Sequence, residues 1–315
     1  MLTVTRCLPG VELDSELMAL LASTQRHLDV LMLGPMTRTA LNHPCHIPDW
    51  PTSPSNWPLK LAQLVVPCRV GSKEELEYYT MLINLSRDTL RNLAVHTYTL
   101  GQASDVRVDL NHNDDPQGEP LKTLLRPSTN RDSQPKLALA NLLVVYQYLR
   151  PSTEFLNKSV NFSTLEKLVI VECAGVDYLI SSIVEAFRPG LAKLYGLNIQ
   201  CDWRATKIPG LLRAFGGLQY LIPSFLRYRG EDSLFDIKCL STHTSTLQDL
   251  YFGLGENASE VSPLYIPDEH DVGWLSANMQ KLRQLALAMP AIRMDEALSD
   301  NEGDFGRSIV SIYHQ

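Results

Sequence analysis

The stretch that most constrains this chain is Leu165-Glu166-Lys167-Leu168-Val169-Ile170-Val171-Glu172-Cys173. Its apolar residues follow an L-x-x-L-x-L-x-x-C spacing. In a strand, alternate side chains point to opposite faces. Leu168 and Ile170 therefore belong on an inner face, and Lys167, Val169 and Val171 turn outward; before the alternation begins, the motif spacing puts Leu165 inward and Glu166 outward as well. A unit this short cannot bury its own apolar face, so its meaning depends on whether it recurs.

It recurs. Units of the same form begin at Leu28, Leu61, Leu90, Leu139, Leu165, Leu194, Leu218, Leu247 and Leu282. The steps between them are 33, 29, 49, 26, 29, 24, 29 and 35 residues. Five of the eight steps lie between 24 and 29 residues, within the period of about 20 to 29 residues of a leucine-rich repeat. The 49-residue step contains a polar stretch, 101–135. The 33-residue step contains a Pro-rich loop, 35–58, and the 35-residue step a loop at 259–271.

Helical patterns precede most of the strand patterns. Leu17, Leu20 and Leu21 share a helix face behind Asp14 or Ser15 as cap. Ser72-Lys73-Glu74-Glu75 reads as a capping box, and Leu76, Tyr79 and Ile83 point to the core. The residues 177–187 bury Leu179, Ile180, Ile183, Val184 and Phe187, and Ile208-Pro209 opens a short helix. Trp274 and Leu275 belong to a helix before the last strand. Leu218-Gln219-Tyr220-Leu221 begins a strand, in which Pro223 breaks the apolar pattern at its third position, and Asp202 is expected to match Cys173 in the following unit. The stretch 101–135 reads as mostly irregular, with a short edge strand over 106–110.

These patterns predict an α/β fold: a curved leucine-rich repeat solenoid, with parallel strands on the concave face and helices on the convex face. The repeat domain spans 1–294 in about nine irregular repeats, with the polar insertion at 101–135. Residues 295–315 form an acidic tail or an incomplete last repeat.

In such a stack the outward residues of the strands make one wide surface. Between the last two apolar positions stand Met32, Val65, Ala94, Leu143, Val169, Asn198, Ile222, Tyr251 and Ala286, and beside them Lys167, Tyr220, Asp249 and Gln284. Aromatic side chains next to isolated charges are the composition of interface anchors. The candidate protein-binding residues are Lys167, Val169, Val171, Asn198, Tyr220, Ile222, Asp249 and Tyr251. Tyr220, Tyr251 and Asp249 lead, because they cluster in adjacent units.

Composition narrows the partners. The chain has 315 residues, and its net charge of −7 argues against binding a nucleic-acid backbone. No apolar run reaches membrane-span length, and the first residues lack the pattern of a secretory signal. Six dispersed cysteines without a C-x-x-C pair read as reduced, buried residues of an intracellular protein, cytoplasmic or nuclear.

Motifs for chemistry are missing. His43-Pro44-Cys45-His46 lacks a second ligand pair for zinc, and the acidic residues at 105–115 lack the glycine and terminal glutamate of a calcium loop. No nucleophile elbow, phosphate loop or dinucleotide fingerprint is present. Cys239 and His243, at helical spacing with no third orienting group, read as packing. The expectation is a non-catalytic protein–protein interaction scaffold without cofactor or metal. The alternative is a hydrolase or transferase on an α/β sheet, with an active site that carries no recognisable motif.

Over about 14–290 the chain resembles the irregular leucine-rich repeat proteins abundant in filamentous fungi, many of them F-box proteins. The resemblance lies in units such as Phe162-Ser163-Thr164-Leu165 running into the stretch to Cys173. It also lies in the likeness of the unit at 211–221 to that at 245–252. It implies a repeat region that holds a protein on its concave face, as in the substrate receptors of cullin-type ubiquitin ligases. Leu8-Pro9 leads straight into a repeat rather than a three-helix pattern, so no F-box is read in this chain. A longer gene product carrying one would also bind the F-box adaptor.

Overall fold

In the computed structural model the described residues are 5–6, 30–32, 61–69, 73–98, 119–126, 135–145, 147–150, 152–187, 191–201, 206–225, 235–252 and 269–287. The expected helix before Val30, the loop 35–58, the cap residue Ser72, the strand at 106–110, the His43–His46 cluster and the tail 295–315 lie outside them.

The chain is an α/β protein; among the described residues it is built on one all-parallel sheet of ten strands, ordered in space as in sequence. The strands are β1 (Thr5–Arg6), β2 (Val30–Met32), β3 (Gln63–Arg69), β4 (Asn92–Tyr98), β5 (Asn141–Val145), β6 (Lys167–Cys173), β7 (Gly196–Cys201), β8 (Tyr220–Phe225), β9 (Asp249–Phe252) and β10 (Gln284–Leu287). Between them run α1 (Lys73–Leu85), α2 (Glu119–Leu124), α3 (Thr153–Ser159), α4 (Val176–Ala186), α5 (Ile208–Arg213) and α6 (Glu269–Asn278). Two 3₁₀ turns, Phe162–Thr164 and Ile237–His243, stand in the same crossover role. Parallel neighbours need such crossovers, because a tight turn reverses direction.

The leucine pattern explains the layering. Leu64, Leu93, Leu142, Leu168, Leu197, Leu221 and Leu250 are buried, as are Val66, Val95, Val144, Ile170 and Ile199. They form one core with the helix residues Leu76, Tyr79, Leu82, Ile83, Leu179, Ile180, Ile183, Leu211 and Leu212. The helices therefore cover one face of the sheet. The alternate strand residues, Val65, Ala94, Leu143, Val169, Asn198, Ile222 and Tyr251, are only partly buried and form the opposite, open face.

The unit repeats in its hydrogen bonds as well. Seven times, one carbonyl accepts from two successive N–H groups of the next unit. The acceptors are those of Ala62, Arg91, Ala140, Glu166, Tyr195, Gln219 and Gln248. Threonine adds a second link. Thr89, Thr164 and Thr246 each precede a leucine that opens a unit. Their hydroxyls donate to the carbonyls of Leu61, Leu139 and Leu218 in the unit before, at 3.0, 2.9 and 2.8 Å. Asp177 in the first turn of α4 accepts from the backbone N–H of Thr206 and Lys207 just before α5, at 2.9 Å each. Carboxylates are favoured at such helix N-termini.

Two expectations are corrected, and one irregular position is explained. Residues 119–124 of the polar stretch form α2, with Leu121, Leu124 and the following Leu125 fully buried against the core. Three leucines within five residues suffice there, since α1 is already in place to receive them. Pro223, where the apolar pattern breaks, is buried within β8, opposite Ile199. Its lack of an N–H coincides with an early end to the β8–β9 ladder, which has only the pairs Tyr220–Asp249 and Leu221–Leu250. Finally, Cys173 lies opposite Cys201 rather than Asp202. A bulge at Glu172, whose φ of 49° is left-handed, inserts one residue and shifts the register.

Candidate interaction surface

Strand register sorts the open face into rows. The first row on β3 to β10 is Gln63, Asn92, Asn141, Lys167, Gly196, Tyr220, Asp249 and Gln284. The second, from β2 to β8, is Met32, Val65, Ala94, Leu143, Val169, Asn198 and Ile222, with Tyr251 and Ala286 paired on β9 and β10. The third contains His96, Val145, Val171 and Gln200. All eight residues expected to bind a partner thus lie on this face. Lys167, Tyr220 and Asp249 share the first row, and Val169, Asn198 and Ile222 the second. Val171 stands apart in the third.

Gly196 is the one residue of the first row without a side chain. The gap it leaves opens a depression of about 420 Å³, lined by Lys167, Val169, Tyr195, Gly196, Leu197, Asn198, Gln219, Tyr220, Gln248 and Asp249. Five of the expected residues therefore converge on one place, and Val171, Ile222 and Tyr251 lie outside its lining. Tyr195, Gly196, Gln219 and Gln248 were not anticipated. The signal for Gly196 was in the sequence: a glycine at the position where the neighbouring units carry Lys167 and Tyr220.

Each wall of the depression has a physical cause. The aliphatic stem of Lys167 lies along Gly196, and its ammonium stands 5.4 Å from the centre of the Tyr195 ring, a cation–π distance. On the far side, the Tyr220 and Tyr251 rings lie 5.8 Å apart at 52°. The Tyr251 hydroxyl donates to Oε1 of Gln284, which holds the outer ring in place. Burial, and after it Tyr251 and Asp249, raise the Tyr220 phenol above its ordinary value of 10.0, so it is a neutral hydroxyl at neutral pH. The floor holds Asn198, whose Oδ1 is buried without a hydrogen-bond partner.

A second depression of about 310 Å³ lies on the other side of Lys167 and Val169, over β3 to β5. Asn141 Nδ2 donates to Asn92 Oδ1 there, and Asn141 Oδ1 is a second buried acceptor without partner. Farther along the face, burial keeps His96 below its ordinary value of 6.5 and so neutral at physiological pH.

Of the groups set aside on sequence grounds, Cys239 and His243 lie among the described residues and are buried in the core. His243 is fully buried: Nε2 lies 2.8 Å from the Leu212 carbonyl and Nδ1 accepts from the Leu218 N–H. Burial pushes the Cys239 thiol up to about 12. Among the described residues, no group of three or more His, Cys, Asp or Glu is placed to hold a metal, and no helix is long and apolar enough to cross a membrane.

Compared with known proteins, the chain matches no family model and no curated sequence.

Proposed function

We propose that this chain is a non-catalytic protein-binding scaffold: a curved leucine-rich repeat solenoid that holds a protein partner on the open, concave face of its sheet. The single observation that carries the reading is the row structure of that face, in which five candidate residues meet around Gly196. Strand order that follows the sequence without reversal supports the solenoid. So do the sevenfold carbonyl pattern and the repeated threonine links. A doubly wound enzyme sheet instead reverses strand order and binds its ligand outside the strand ends. Here the depression lies on the sheet face, with half-buried aromatic rings in its walls and unpaired polar groups, which suits a protein partner.

The resemblance to F-box-associated repeats extends the proposal to the substrate-recognising part of a ubiquitin ligase, acting inside the cell. A gene product that carries an F-box would then bring the partner to the ligase.

The test compares native-extract capture by the wild type with capture by a Tyr220→Ala/Tyr251→Ala variant of equal thermal stability. A specific partner, identified by mass spectrometry and re-bound as purified protein, should lose at least tenfold affinity for the variant. Equal binding by both proteins removes the open-face assignment. For the ligase extension, the full gene product should co-purify with the F-box adaptor, and its failure to do so removes that extension alone.

A further inference from the structure

Two charges stand at opposite ends of the Gly196 depression, Lys167 on β6 and Asp249 on β9. Lys167 is exposed and Asp249 half-buried. Among the described residues neither makes an ion pair; Lys167 has only the Tyr195 ring beside its ammonium. Glu166, the next charge along the chain, does not line the depression. Between the two ends the floor is uncharged, with Gly196 bare and the Asn198 amide oxygen unpartnered. Such an arrangement fits a ligand that is itself dipolar and that brings an N–H donor to its middle.

We infer that this depression recognises an extended segment of the partner polypeptide that carries an acidic and a basic side chain four residues apart. The acidic group meets Lys167, the basic group meets Asp249, and a donor between them meets Asn198. The inference rests on the open-face reading above and names the partner chemistry for it. Its spacing comes from strand geometry. Lys167 and Asp249 occupy the same row three strands apart, and strands lie about 4.8 Å from one another, so the row spans about 14 Å. An extended segment advances about 3.4 Å per residue, so about four residues cover that distance. Four is an even number, which places both charged side chains on the same face of the segment. The residue midway stands over the step between Gly196 and Tyr220, beside the gap that the glycine leaves.

Selection from a display library of random 12-residue peptides tests this on the intact chain. Wild-type protein should enrich peptides with Asp or Glu four residues from Lys or Arg. Lys167→Glu should lose at least tenfold affinity for these peptides and enrich two basic residues at that spacing. Asp249→Lys should do the same for two acidic residues. Both charges are at the surface, and thermal melts establish that each variant is folded; Lys167→Gln and Asp249→Asn serve as milder forms. Enriched peptides without the four-residue spacing, no enriched peptide at all, or peptides indifferent to both charge reversals overturn the inference. If those peptides are still lost on Tyr220→Ala/Tyr251→Ala, the open-face reading stands while the dipolar segment falls. Self-association of the protein that both charge reversals abolish would make a second copy the occupant, and likewise overturns it.

Discussion

Gly196 lies against the stem of Lys167, so closely that a β-carbon on the glycine would stand 3.0 Å from Lys167 Cγ. The glycine shapes the depression and sets the path of the lysine. Its φ is outside the left-handed region, so its backbone accepts a side chain. Gly196→Leu should therefore keep the fold. Glycine within a strand costs about 0.5–1 kcal/mol relative to residues with a side chain, so the melting temperature should stay or rise slightly. Binding at the depression should fall at least tenfold, because the leucine occupies the gap and displaces Lys167. Thermal denaturation and partner binding, measured on one preparation, check both halves.

The threonine links predict a graded series. Thr164→Val keeps the shape but removes the hydroxyl that reaches the Leu139 carbonyl at 2.9 Å. The loss should be about 1 kcal/mol, typical of one such bond. Thr164→Ser should retain most of it. Urea denaturation midpoints at constant slope measure the difference, and a larger loss in Thr164→Ser than in Thr164→Val would assign the effect to the methyl group.

His243 makes stability depend on pH. Burial lowers its folded-state value below the ordinary 6.5, with the Leu212 carbonyl opposing. In the window below 6.5 the unfolded chain thus binds the proton first. Its contribution is full above that value and is lost as pH falls through the window. Wild-type stability should drop between pH 7.5 and 5. His243→Gln should be less stable at pH 7.5 by about 1–3 kcal/mol, since it disturbs two buried hydrogen bonds. It should also show a shallower acid slope. An unchanged slope would place the pH dependence elsewhere, with half-buried His96 as the next group to replace.

Backbone conformation separates Glu172 from Gly175. Both have positive φ, 49° and 69°. Glu172→Gly should be neutral or stabilising within about 1 kcal/mol, since glycine adopts this region freely. Glu172→Val should cost more than about 1 kcal/mol, because a β-branched residue resists it. At Gly175 an added β-carbon would also lie 3.0 Å from the Arg150 backbone nitrogen. Gly175→Ala should therefore destabilise by about 1–3 kcal/mol. Calorimetric melts of the three variants rank them.

The thiol of Cys239 should resist alkylation. With its value pushed up to about 12 by burial, almost no thiolate exists at pH 8. Mass spectrometry after iodoacetamide should find Cys239 unmodified in the native protein and modified in urea. Native-state labelling would mean that the Ile237–His243 turn opens readily.

The repeat made much of this legible. Leu165, Leu168 and Ile170 are buried as their spacing requires, and the outward residues fall into the rows expected of them. Periodicity reports which face a residue occupies, because that is what burial selects. It does not report one-residue insertions, so the bulge at Glu172 and the pairing of Cys173 with Cys201 were hidden. Nor does it see α2, whose Leu121, Leu124 and Leu125 acquire meaning only once α1 is beside them. The depression was half visible. Lys167, Tyr220 and Asp249 stood out by their chemistry, while Gly196 contributes through the side chain it lacks. The unpartnered oxygen of Asn198 belongs to the three-dimensional surroundings alone.

The short β8–β9 ladder makes the sheet mechanically uneven. β7 and β8 are joined over six residue pairs, β8 and β9 over two. From β3 to β10, a fluctuation that parts neighbouring strands needs to break fewest hydrogen bonds at that seam, so amide exchange there should propagate from it into β9 and β10 first. Tyr220 lies on one bank and Asp249 on the other. The aperture of the depression is therefore hinged at the most weakly stitched seam between β3 and β10, and a bound segment spanning both banks would act as the missing rungs.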